Sequence, residues 1–347
     1  MAASSRTAVV AAVFGNGALT VLKFIAFWIS GSGAMFAEAI HSFADTANQA
    51  LLWAGLSRSR RPADRHYHYG YGGEQFLFAL LAAVGIFVLG CGVTVYHGVH
   101  SLMHPAELEI GWLSFGVLGI SFVVDGVVLA TAVKAVNKQR GQQSFFDFLK
   151  NTTDPTVVAV LLEDLVATLG VLVALLCIGL AHWTGDARWD GIGSVLIGLM
   201  MGAIAVKLAL MNRRLILGHA LSPEREAEVQ QFLEAQPTIE VVRSLRTRVI
   251  ATGQFKLQAD LDFDGTVIGK NMSGWIKERL PKNLDPTDSN NTPSHGEPTT
   301  SYNSAIETFS ADVGEEVANR IALEVDRIER ELQLRFPELK FMDLEAD

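Results

Sequence analysis

Three short strings place metal-ligating side chains inside apolar sequence. Ala37 to Asp45 carries Glu38, His41 and Asp45, with Asn48 and Gln49 following. His41 and Asp45 are four apart, so on a helix they stack on one face, and an imidazole and a carboxylate one turn apart can ligate the same ion. A His–Asp hydrogen bond that only clamps two helices is the competing reading. Val160 to Leu165 carries the adjacent pair Glu163 and Asp164. Neighbouring helical residues point about 100° apart, so one of the two faces a given site squarely, and Asp164 is the first choice. Asp125 stands alone in a third apolar run. It too has a bland reading, as a protonated or hydrogen-bonded packing residue.

An ionisable group in hydrocarbon costs a few kcal/mol, so each needs a partner, a cavity or a task. Asp45, Asp125 and Asp164 fall at similar depths from one end of their runs, and a bound divalent cation or a set of protons can hold such charges there. Histidine with carboxylates suits zinc, and also iron, cobalt or manganese. A second cluster, Asp64, His66, His68 and Glu74, lies in the turn-rich connection Pro62 to Glu74 and reads equally as a metal-collecting mouth or as a solvated loop. His97, His100 and His104 lie near an interface where imidazoles are cheap. Asp186 and Asp190 sit where a helix N-terminus favours carboxylates without any ligand. Lys23, in the first apolar run, is expected to snorkel toward the interface and carries no transport role in this reading.

The elements that position these residues follow from hydropathy. The chain has 347 residues, 49% of them hydrophobic, with a formal charge of -9 and a mean hydropathy of +0.26. That is too apolar for an ordinary soluble globule and too charged to be all membrane. Six stretches, about 8–30, 34–57, 75–99, 111–135, 155–180 and 189–211, reach the roughly 20 residues that a membrane-crossing helix needs. Basic residues crowd alternate connections: Arg58, Arg60, Arg61 and Arg65, then Lys134, Lys138, Arg140 and Lys150, then Arg213 and Arg214. By the positive-inside bias both termini are cytoplasmic. The acidic balance gives no reason to expect nucleic acid. Cys91 and Cys177 lie in apolar runs and read as small buried hydrophobes.

Residues 1–214 therefore read as a transmembrane domain and 215–347 as a soluble one. Ser222-Pro223-Glu224 opens a helix, with Ser as N-cap and Pro at the first position. Runs Glu240–Ile250 and Gln254–Phe263 form a hairpin through Ala251-Thr252-Gly253, and a helix over 311–335 and a strand over Leu339–Leu344 close an α-β-β-α-β order. The expected fold class is thus a membrane all-α six-helix bundle followed by a cytoplasmic α+β ferredoxin-like domain, with a flexible insertion at about 270–307. Asp260, Asp262 and Asp264 alternate on one strand face and read as a solvated acidic edge rather than a metal site.

The six runs, His41-x-x-x-Asp45, the Asp64 and His68 loop and the α-β-β-α-β tail together resemble the cation diffusion facilitator family. Gly85-Ile86-Phe87, Tyr96-His97-Gly98, Asp154-Pro155 and Leu162-Glu163-Asp164 resemble the branch that includes the animal mitochondrial zinc transporter. The resemblance implies proton-coupled export of a divalent metal, zinc first among candidates, by a homodimer with a tetrahedral site on the second and fifth spans and alternating access. His41, Asp45 and Asp164 match that site. Its fourth position is Val160 here, so Glu163, Asp125 or water must substitute, and the second histidine of the family's loop is Tyr71. No catalytic cofactor and no enzyme activity is expected, since no nucleophile or substrate motif accompanies the cluster. A metal-sensing or regulatory membrane protein without transport is the alternative. A bacterial inner membrane is the expected location.

Overall fold

The computed structural model describes residues 17–105, 112–141, 155–281 and 299–346, with isolated positions at 144, 145 and 148. The chain divides into two compact units, Met1–Gly218 and His219–Asp347.

In the first unit, α1 runs over Gly17–Ser30 and α2 over Gly33–Ser59. Next come α3, Glu74–Met103, α4, Trp112–Gln139, α5, Pro155–Thr184, and α6, Arg188–Leu217. Among the described residues, four segments are long and apolar enough to cross a bilayer: Glu74–Met103, Trp112–Gln139, Val160–Thr184 and Arg188–Leu217. The molecule is therefore an integral membrane protein. The expected first span begins near residue 8, outside the described residues, and its remainder is the short apolar helix α1. α2 has the length of a span, but the polar stripe Glu38, His41, Asp45 and Asn48 makes it less apolar than those four.

Small residues let these helices approach. A Cβ on Gly98 of α3 would lie 2.9 Å from the backbone nitrogen of Val195 in α6, and one on Gly198 would lie 3.1 Å from that of Val95. Gly202 faces Cys91 and Gly193 faces Cys177 in the same way, so both free thiols pack as small hydrophobes. This is how membrane helices associate where no hydrophobic difference separates lipid from protein. Ser194 adds a hydrogen bond to the Thr94 carbonyl at 3.2 Å. Between Ile86 and Val93, beside this contact, α3 widens into a π-helical turn. Such wide turns are rare and often lie near functional sites.

The corner between α1 and α2 is closed by a group from α6. Gly31 adopts φ +65°, Ser32 caps α2 through Oγ to the Met35 amide at 3.1 Å, and Asp190 reaches across. Its carboxylate accepts from Ser32 Oγ at 2.5 Å, Gly33 N at 2.5 Å and Ala34 N at 3.2 Å. Asp190 is fully buried and satisfies the free amides of a different helix, which corrects its reading as a carboxylate at its own helix start. His97 is stacked against Phe36 at 4.4 Å between centroids. Trp28, Trp112 and Trp183, all above 80% exposed, lie at the ends of α1, α4 and α5, as aromatic residues do at a membrane interface.

The second unit contains α7 (Pro223–Glu234), β1 (Ile239–Ala251), β2 (Gln254–Phe263), α8 (Gly265–Asn271), α9 (Ser273–Arg279), α10 (Thr299–Arg335) and β3 (Leu339–Ala346). Ser222 accepts from the Arg225 amide, and Pro223 starts α7. Thr252 and Gly253, with φ +67° at the glycine, turn β1 back onto β2. The sheet order is β1-β2-β3, antiparallel then parallel. A parallel return needs a crossover, which the segment containing α8, α9 and α10 supplies. Along β2, Phe255, Leu257, Ala259 and Leu261 alternate into a core shared with Val229, Leu233, Ile328, Leu332 and Phe336. Asp260 and Asp262 point to the other face, where Ser244 donates to Asp260 at 2.5 Å and Arg243 pairs with Asp262 at 2.8 Å. Asp264 is the N-cap of α8. The sheet has three strands with one apolar face; the ferredoxin-like arrangement expected from sequence is matched only at this coarser level.

Arg327 ties α10 to the α7–β1 turn. It donates to Glu324 at 2.7 and 3.0 Å, to Glu331 at 2.6 Å and to Gln236 at 2.8 Å, and Thr238 donates to Glu324 at 2.6 Å.

Two outcomes are expected. Gly98→Val should lower thermal stability in detergent by about 1–3 kcal/mol, whereas Gly116→Val, whose Cβ meets nothing within 4 Å, should be close to neutral. The Arg327 hydrogen bond holds the Glu324 pKa below its ordinary 4.5. Its stabilisation is thus full above that value and lost as pH falls through the lowered one. Glu324→Gln should flatten the acid side of the melting curve, recorded at several points between about pH 3 and pH 7.

Candidate metal site in the helical bundle

α2 supplies the centre of the candidate site because it carries polar groups along one face in an apolar environment. Glu38, His41 and Asn48 are buried. His41 Nε2 lies 3.5 Å from Asp45 Oδ2, and among the described residues neither ring nitrogen has a hydrogen-bond partner. A buried imidazole with both nitrogens unpaired is uncommon, since such groups cost free energy unless something else satisfies them.

α5 brings Glu163 and Asp164 to this face. Asn48 donates to both Glu163 oxygens at 2.9 Å, which fixes that carboxylate beside the stripe one turn below Asp45. Asp164 Oδ2 is buried without a hydrogen-bond partner among the described residues. Asp45 is within electrostatic range of Glu163, Asp164 and, on α4, Asp125, and Asp125 is also in range of His41. The structure thus brings five of the expected residues, His41, Asp45, Asp125, Glu163 and Asp164, into one region. They do not close into a cage: among the described residues no three His, Cys, Asp or Glu groups converge as a metal-binding set. Val160, one turn before Asp164, is 40% exposed and offers no donor atom.

The loop residues do something different. Asp64 Oδ1 accepts from the His66 and Tyr67 amides at 2.8 and 2.9 Å, and Oδ2 accepts from Tyr71 at 2.6 Å. His68 Nε2 sits 3.2 Å from the Arg65 carbonyl. The Tyr71 hydroxyl, followed by those two amides, pulls the Asp64 pKa below its ordinary value. In this conformation the carboxylate shapes the turn, and Tyr71 holds it. His100 and His104 stack on each other at 4.8 Å near the end of α3.

Sequence reasoning missed two participants. Lys23, expected to snorkel, is 1% exposed and pairs with Glu38 Oε2 at 3.0 Å and Ser42 Oγ at 2.8 Å. The signal was present in its charge near the middle of an apolar run, but its partner lies on another helix. Asn48 belonged to the polar stripe, yet its hold on Glu163, 115 positions away, has no local signature.

Comparison with known proteins accords with this arrangement. Residues 9–217 match the family model described as the cation efflux transmembrane domain. The chain is 33% identical over 339 residues to the human proton-coupled zinc antiporter SLC30A9, mitochondrial, covering 97% of this chain and 58% of that protein. It is 34% identical over 352 residues to metal tolerance protein C4 of Arabidopsis thaliana, covering 99% of this chain and 73% of that one. A cation-efflux pump, FieF, of Shewanella oneidensis is 27% identical over 253 residues, 72% of this chain and 79% of its own. The chain therefore spans somewhat more than half the length of its animal relatives. With relatives from animals, a plant and bacteria, the bacterial inner membrane expected from sequence gains no support. From the helical bundle, the matched transmembrane domain and these relatives together, the chain belongs to the cation efflux family.

Proposed function

We propose that this protein exports a divalent cation of the zinc class in exchange for protons, through a site formed by His41, Asp45 and Asp164. The observation that carries the reading is the His41 imidazole, buried with neither nitrogen hydrogen-bonded among the described residues, one turn from Asp45 and level with carboxylates on α4 and α5. Imidazole nitrogen and carboxylate oxygen are the donors zinc takes, and manganese, iron and cobalt accept the same set. Glu163 is the fourth donor in place of Val160, because Asn48 holds it on the face that carries Asp45; Asp125 contributes charge from further out.

Antiport follows from the chemistry of these groups. The ion binds neutral imidazole and ionised carboxylates, so its arrival displaces protons, and protons arriving from the opposite side displace it. Alternating access then couples the two fluxes: the ion-bound bundle opens outward, the protonated bundle inward. The relatives' printed names, a proton-coupled zinc antiporter and a cation-efflux pump, support this assignment. The full arrangement is six spans, with α2 as the polar inner helix, cytoplasmic termini and a homodimer. The family model's start at residue 9 supports the first span.

His41→Ala, Asp45→Ala and Asp164→Ala should each abolish zinc uptake by proteoliposomes containing folded protein; wild-type flux in Asp45→Ala would sink the assignment. Flux without added substrate also separates a transporter from a metal sensor. Glu163→Gln should weaken calorimetric zinc affinity more than Asp125→Asn, and Asn48→Ala should cost about 10–100-fold, as loss of a ligand's holder does. Equal small losses for Glu163→Gln and Asp125→Asn would assign the fourth position to water.

A further inference from the structure

The Lys23–Glu38 pair remains unexplained by the ligand set. Its burial is nearly complete, at 1% and 0% exposure, and three helices enclose it. Lys23 comes from α1 and Glu38 from α2. α5 presses bare backbone against it, since a Cβ on Gly170 would come within 2.6 Å of Glu38 Oε1. That oxygen has no hydrogen-bond partner. A neutral packing contact would serve adhesion at lower desolvation cost, so a buried pair of this kind is weak evidence for stability alone.

The ammonium is held next to the site. Its second acceptor, Ser42 at 2.8 Å, directly follows His41 and lies three residues before Asp45, on the same side of α2. Lys23 is in electrostatic range of His41, Asp45 and Asp125. Its charge therefore acts on the carboxylates of the site as well as on the imidazole. Several carboxylates with an imidazole in a low-dielectric bundle attract a divalent ion strongly, and transport requires binding weak enough for the ion to leave.

We infer that Lys23 is a positioning residue that sets ion affinity, a tethered cation that balances the site's carboxylates when no metal is bound and lowers divalent affinity enough for release. The inference rests on the transport reading, and it assigns Glu38 the task of holding the cation in place. Lys23 does not touch the ion; it acts through the field at Asp45 and Asp125.

The test uses the full chain, with zinc flux in proteoliposomes and zinc Kd by calorimetry on the same preparations. Glu38→Gln frees the cation from its partner and should raise KM and Kd. The double variant Lys23→Met with Glu38→Gln removes both charges and should lower Kd by about three- to thirtyfold, with a lower maximal rate because release slows. The exchange Lys23→Glu with Glu38→Lys keeps a pair, and hence the packing, but moves the cation onto α2 beside His41, and should raise Kd. A pair with only a structural role would change melting temperature and yield but not move Kd in opposite directions. Wild-type Kd in both the double variant and the exchange overturns the inference, and if the double variant fails to fold, wild-type Kd in the exchange alone does so. Absence of flux in the wild type would count against transport, while the order of Kd values would still judge Lys23.

Discussion

Ionisable groups buried in this bundle are drawn to partners on other helices, because lipid offers none and the interior of a helix has no backbone donors or acceptors to spare. The arrangement of α1, α2, α5 and α6 reflects that constraint. Lys23 joins α1 to α2 through Glu38 and Ser42. Asn48 joins α2 to α5 through Glu163. Asp190 joins α6 to the start of α2 through Ser32, Gly33 and Ala34. His41 and Asp164, by contrast, carry buried polar atoms without hydrogen bonds among the described residues.

Such pairing works only at short range, and the glycines make the range short. Gly98, Gly198 and Gly202 bring α3 onto α6, Gly193 brings α6 against Cys177 of α5, and Gly170 lets Glu38 lie against α5. A methyl group at Gly98 or Gly198 would also press on the backbone nitrogen of the facing helix, so the spacing there has little tolerance. The polar centre and the small-residue contacts are two aspects of one packing solution: the helices must be close for the charges to be paired, and the charges align the helices that the glycines bring together.

In the second unit the same chemistry has the opposite use. The carboxylates of β2 and α10 are engaged by Arg243, Arg327 and the Ser244 and Thr238 hydroxyls, so acid groups that alternate along a strand serve cohesion there. Asp64, in the loop before α3, likewise spends its oxygens on a tyrosine and two amides.

The linear sequence determined what depends on local order. Apolar run length set the helices of the bundle, a Ser-Pro start set α7, a Thr-Gly pair set the β1–β2 turn, and four-residue spacing put His41 and Asp45 on one face, because helix and strand periods are local properties. Tertiary structure decided the partners. The local rule that lets a lysine snorkel was overridden at Lys23, because Glu38 on a neighbouring helix solvates its ammonium better than a distant interface can. Asp190, read locally as belonging to its own helix start, serves the start of α2 because the corner at Gly31 brings those free amides to it. Glu163 is held by a residue 115 positions away. Hydrogen bonds and ion pairs act over a few ångströms in space, and sequence distance says nothing about which groups the packed helices bring that close.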